Sequence, residues 1–196
     1  MDTITNLYYT TNADSFNDRT LNLTCKMQPL YDTFFKYLHS NLVLDVGCGT
    51  GRDSLYFQNH SLIVTSIDAN REMIVKCIDN QVENPIHVSV EHFDSDVRYG
   101  GIWACASLLH LKRDRLPDIF NKLANLLNDN GVLYCSFKYG NFEGIRDHRY
   151  FTDMTESLLE NVISVYNRFE IKEMYTTDDV RENVKQTWLN AFLIKN

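Results

Sequence analysis

The apolar residues of this chain recur in two rhythms that take turns along it. Short runs rich in β-branched residues at 42–46, 62–68, 86–90, 101–107 and 132–137 have the length and composition of strands. Between them the apolar positions return every three or four residues. Met27, Leu30, Tyr31, Phe34 and Leu38 predict a helix over 26–38 with Pro29 near its start. A helix opens at Arg52, and another follows Asn70 as its cap, with Met73, Ile74, Cys77 and Ile78 on one face. Ile119, Phe120, Leu123, Leu126 and Leu127 form a further amphipathic helix that starts near Pro117 and stops at residues 128–131. After a helix over 155–166, two last strands, 169–175 and 187–194, follow one another and suit an antiparallel hairpin joined by a charged loop. Strand and helix alternating in this way predict an α/β fold, doubly wound around a seven-stranded, mostly parallel sheet. Residues 4–20 are polar and aromatic, too polar for core, with a short helix around Ala13, Phe16 and Arg19. The reading is one domain over 1–196, with 1–40 an N-terminal helical segment.

The chemistry gathers at the end of the first strand. Gly47, Gly49 and Gly51 follow it at alternate positions and lead into a helix, so backbone N–H groups point at whatever lies above the strand end. A dinucleotide fingerprint wants its third glycine one residue later, where this chain has Arg52. Asp45 stands two residues before the first glycine. The second strand ends at Asp68, 17 residues after Gly51, close to the roughly 20-residue spacing of a ribose-binding carboxylate. Such a carboxylate can accept both ribose hydroxyls; the plain alternative is a solvated strand-end residue or cap.

On these residues the chain resembles the class I S-adenosylmethionine-dependent methyltransferases. DVGCGTGRDSLY is similar to the small bacterial branch that includes tellurite-resistance-type enzymes. The resemblance implies S-adenosylmethionine as cofactor, held by Asp45, Gly47, Gly49, Gly51 and Arg52, by Asp68 and Ala69, by Phe93 and by Ala106. The loop 91–96 falls where such enzymes hold the adenine, with Phe93 against the ring and Glu91 or Asp94 accepting from its amino group. Ala106, Ser107 and His110 fall near the reacting methyl group. His110 reads either as a general base or as a histidine capping the turn before the next helix. The N-terminal segment often folds over the cofactor in these enzymes, which makes Tyr8 and Tyr9 lid residues or, equally, aromatic anchors of a terminus. The acidic residue usual before the fourth strand is missing; Gly100 stands there.

The polar stretch 138–150 carries Lys138, Arg146 and Arg149, which suit an anionic substrate or simply a basic, solvated connector. The charge of −7 argues against a nucleic-acid partner. Amino-methyltransferase Asn-Pro-Pro-Tyr and cytosine-type Pro-Cys signatures are absent. A small molecule (thiol, amine or oxyanion) is therefore the expected acceptor. An RNA or protein acceptor, or a binding protein without turnover, stands as the alternative. The five cysteines lack CxxC spacing and predict neither disulfides nor a metal site. No apolar run is long enough for a membrane span and the N-terminus has no export pattern, so a cytoplasmic protein is expected. The chain carries no signal of its oligomeric state.

Overall fold

The computed structural model describes residues 2–196. Nine strands and six α-helices follow one another as α1 (Thr3–Thr20), α2 (Thr24–Tyr37), β1 (Leu42–Val46), α3 (Arg52–Asn59), β2 (Ile63–Asp68), α4 (Arg71–Asp79), β3 (Ile86–His87) and β4 (Tyr99–Ala104), then α5 (Leu116–Leu126), β5 (Leu127–Lys138), β6 (Glu143–Arg146), β7 (Arg149–Thr152), α6 (Glu156–Ser164), β8 (Phe169–Asp178) and β9 (Thr187–Lys195). Seven strands form one sheet in the order β3-β2-β1-β4-β5-β9-β8. β1 to β5 are parallel, and β9 runs antiparallel to both β5 and β8. The expected fold class is observed, down to the closing antiparallel pair.

Alternate residues of the central strands supply two cores. Val43, Trp103, Tyr134 and Phe192 pack with Tyr31 and Phe34 of α2 and Phe57 of α3. Their neighbours Leu44, Ile102 and Leu133 pack on the other side with Phe120 and Leu123 of α5 and Leu159 and Val162 of α6. Each large side chain buried this way stabilises the fold by roughly 1.5–3 kcal/mol relative to exposure. Pro29 lies inside α2, which begins earlier than its apolar periodicity suggests.

Three elements depart from the sequence reading. α1 is a full helix with a kink at Asn12, where a short one was expected. Asp2 caps it, accepting from the N–H groups of Ile4 and Thr5 at 3.0 Å. The third strand is only Ile86–His87, because the chain then turns and sends Val90 and Phe93 into the core. The polar stretch 138–150, where a solvated connector was one expectation, contains the hairpin β6–β7, whose Arg146 and Arg149 pair across Asp147 and His148. Both turn residues have positive φ, 50° and 59°, the geometry of a tight two-residue hairpin. The five cysteines are free thiols. No helix among the described residues is long and apolar enough to cross a membrane.

Candidate active site

The C-terminal ends of β1, β2, β4 and β5 open onto a cavity of about 280 Å³. Its floor is the loop after β1. Gly47 has φ +70°, and a Cβ there would stand 2.4 Å from Cβ of Ser107, so the loop and the end of β4 approach too closely for any side chain. Gly49 has φ +57° and carries the ring of Phe16 over it, 3.3 Å from where a Cβ would be. The amide of Gly49 donates to Oδ2 of Asp68 at 3.0 Å and that of Asn70 to Oδ1 at 2.7 Å. These bonds fix the carboxylate at the cavity wall. Burial pushes its pKa up to about 6 against the pull of the two amides.

Behind the loop Arg52 grips Asp53 with both arms, Nε to Oδ1 at 2.7 Å and Nη2 to Oδ2 at 2.8 Å. Asp53 also accepts from the hydroxyl of Tyr31 and from Nε1 of Trp103. The guanidinium beside it holds its carboxyl below the usual range despite burial. Two hydroxyls on residues lining the cavity, Thr50 Oγ1 and Ser107 Oγ, are buried without a hydrogen-bond partner. Ala106 sits in the left-handed region at φ 51° and donates its N–H to Ser136 Oγ at 2.8 Å, a strained residue beside the cavity.

α1 forms the roof. Tyr9 and Phe16 line the cavity, and the Tyr9 hydroxyl lies 2.8 Å from Nε2 of His110. Nδ1 of that histidine is 2.7 Å from the carbonyl oxygen of Tyr150. A carbonyl only accepts, so Nδ1 carries the proton, Nε2 is the acceptor, and Tyr9 donates to it. Burial pushes the His110 pKa down to about 4. The imidazole is neutral at physiological pH.

Of the residues singled out from the sequence, Gly47, Gly49, Arg52, Asp68, Ala69, Ala106, Ser107, His110, Tyr9, Lys138, Arg149 and Glu91 all line this cavity. Asp45 does not. It is buried under the loop, accepting from Ser54 Oγ at 2.6 Å, with its pKa raised by burial and by the carboxylate of Asp53. Gly51 packs against Val82, at the start of α3. Phe93 is 7% exposed in the core, and Val88, Ser89 and Val90 line the wall in its place. Asp94 is exposed outside the cavity. Arg146 is turned to Asp153, 2.9 Å away, and Tyr8 lies under Arg149 rather than on the wall. Sequence reasoning passed over Asp53, Cys105, Tyr134 and Asn190, and the segment 177–181, which also line the cavity. Their apolar or charged settings give no local sign of it.

Residues 43–131 match the family described as "Methyltransferase domain". Over this stretch the chain is similar to the class I S-adenosylmethionine-dependent methyltransferases. Over 94 residues the chain is 30% identical to the probable S-adenosyl-L-methionine-dependent methyltransferase TehB of Haemophilus influenzae, covering 45% of this chain and 33% of that protein. The chain thus matches about a third of the length of this curated relative. The 1,6-didemethyltoxoflavin-N1-methyltransferase of Burkholderia thailandensis, solved with 1,6-didemethyltoxoflavin and S-adenosylhomocysteine, superposes with a TM-score of 0.77 at 19% identity over 98% of this chain and 88% of that one. The TehB crystal structure gives 0.69 at 19% identity over 86% and 62%. Magnesium protoporphyrin IX methyltransferase of Synechocystis, bound to S-adenosylmethionine, gives 0.70 at 15% over 100% and 99%. At such identities the superpositions speak for the fold. The cofactor of this family is S-adenosylmethionine.

Proposed function

We propose that the protein transfers the methyl group of S-adenosylmethionine to a small-molecule acceptor within one domain spanning 1–196, residues 1–40 acting as its lid. The observation that carries this reading is the convergence on one cavity of the Gly47–Gly49 floor, the Asp68 carboxylate and two unpartnered hydroxyls. These groups fit the cofactor. Asp68 uses one backbone donor on each oxygen, which leaves lone pairs for the two ribose hydroxyls. Ala69 and Val88–Glu91 would flank the adenine, Arg52 would meet the methionyl carboxylate, and Thr50 and Ser107 would complete the polar contacts. When bound, the cofactor supplies a methyl group activated on a sulfonium centre. The chain's contribution is alignment and exclusion of water, for which α1 is placed as a roof.

A small acceptor is favoured by the cover that α1 lays over the cavity, and by structural neighbours named for 1,6-didemethyltoxoflavin and magnesium protoporphyrin IX. His110 serves better as an orienting group than as a base. With a pKa near 4 and Nε2 occupied by Tyr9, it takes up protons poorly at neutral pH. Calorimetric titration of ligand-free protein with S-adenosylmethionine, S-adenosylhomocysteine and NAD tests the proposal. Micromolar binding of the two adenosyl compounds and none of NAD is expected; absence of binding by both adenosyl compounds refutes it.

A further inference from the structure

We propose that the acceptor carries an oxyanion group and that Lys138 and Arg149 bind it at one end of the cavity, against the ring of Phe151. The identity of this ligand as the methyl acceptor rests on the methyltransferase reading; the anion site itself does not.

Three cations surround one aromatic ring. Lys138 Nζ stands 3.9 Å from the Phe151 centroid, and the guanidinium carbons of Arg146 and Arg149 both stand 5.0 Å from it. They arrive from separate places in the chain, Lys138 from the end of β5 and the arginines from the two sides of the β6–β7 turn. Their charges are not balanced alike. Arg146 meets Asp153 in a two-armed pair, at 3.1 Å and 2.9 Å, and does not line the cavity. Lys138 and Arg149 do line it, and among the described residues no carboxylate lies within ion-pair distance of either.

Arg149 is held rather than free. Its guanidinium lies 4.2 Å over the Tyr8 ring as well as near Phe151, and its Nε is buried with no hydrogen-bond partner. A guanidinium fixed by two rings with an unused donor is preorganised for a planar oxyanion. Burial and the two arginines pull the Lys138 pKa down to about 8, the mark of a cation short of counter-charge. His110 on the cavity wall is neutral, and the other two arginines there, Arg52 and Arg181, are each paired with a carboxylate. Like charges gathered beside a cavity raise one another's free energy, and an entering anion relieves that repulsion. The arrangement recognises the oxyanion itself, whether it belongs to an organic acid or is a free inorganic ion.

Calorimetry on protein saturated with S-adenosylhomocysteine tests this with inorganic sulfate, benzoate and the neutral isostere benzamide as probes. The expected result is binding of sulfate, benzoate or both, with none of benzamide. Lys138→Met and Arg149→Met should each weaken it tenfold or more while S-adenosylhomocysteine still binds. Arg149→Lys, which keeps the charge, should recover part of the loss and guards against a packing defect. Sulfate binding alone points to a free oxyanion acceptor, and benzoate binding alone to an organic acid. Failure of both anions to bind, equal binding of benzamide, or anion affinity unchanged in Lys138→Met overturns the proposal. If S-adenosylhomocysteine itself does not bind, the cofactor reading falls, and the same titrations on the free protein still decide the anion site.

Discussion

Asp68 responds to pH in two opposite ways, both set by its position. Its pKa is raised to about 6, chiefly by burial. In the free protein the folded state therefore holds this proton more tightly than the unfolded chain does. That contribution to stability is full below the unfolded pKa of 3.8 and is lost as pH rises through about 6. Cofactor binding at the proposed site runs the other way, because ribose hydroxyls would need the ionised carboxylate as acceptor. Affinity for S-adenosylhomocysteine should be flat above about pH 7 and fall up to tenfold per unit below about pH 6. Asp68→Asn should remove that limb and weaken binding at pH 7.5 by about 1.5–3 kcal/mol, the range of a hydrogen bond to a charged group. Calorimetry over the same pH range checks both. A folded Asn variant with wild-type affinity would show that the carboxylate does not face the ribose.

The full length of α1 is something its own sequence hides. α1 buries only Thr5, Ala13 and Thr20, so no apolar stripe announces it. Hydrogen bonds hold it down instead. Nδ2 of Asn70 donates to the carbonyl and Oδ1 of Asn6 and to Thr10 Oγ1 at 3.0, 2.8 and 2.9 Å. Thr5 Oγ1 accepts from the N–H of Tyr150 at 2.8 Å, and Asn80 reaches Asn17. The hairpin beneath it leaves equally little trace in the sequence. Asp147 and His148 make a turn that usually advertises itself with Asn-Gly or Asp-Gly. By contrast α5 and the central strands were plain from the sequence, since burial on a regular face writes a period that polar anchoring does not. Removing two of the anchors in the double variant Asn6→Ala, Thr10→Ala should cost about 1–2 kcal/mol locally. Amide exchange in α1 should then quicken by roughly 5- to 30-fold, with faster release of S-adenosylhomocysteine and sheet amides unchanged. Wild-type exchange in α1 would mean that these bonds do not hold the helix in place.

At the scale of the molecule, the sequence announces what lies on the strand ends and says little about what comes to meet them. The glycine loop and Asp68 are close together in sequence and report themselves by spacing. Phe93 and Arg146 were misdirected because a turn after β3 and a partner seven residues away, Asp153, set where they point. Tyr9, His110 and Arg149 come from distant parts of the chain, and only the fold shows that they share a wall. Because the cavity joins α1, the loop after β1 and the ends of β2, β4 and β5, a ligand bound there should stabilise all of these elements together. At one hundred times Kd, linkage gives about 2.7 kcal/mol. For a chain of this size that corresponds to a rise in Tm of roughly 5–10 °C. S-adenosylhomocysteine should move one cooperative transition by that amount, NAD should leave it in place, and Asp68→Asn at the same ligand concentration should shrink the shift. Two transitions, of which the ligand moved only one, would show that the chain does not fold as the single unit proposed.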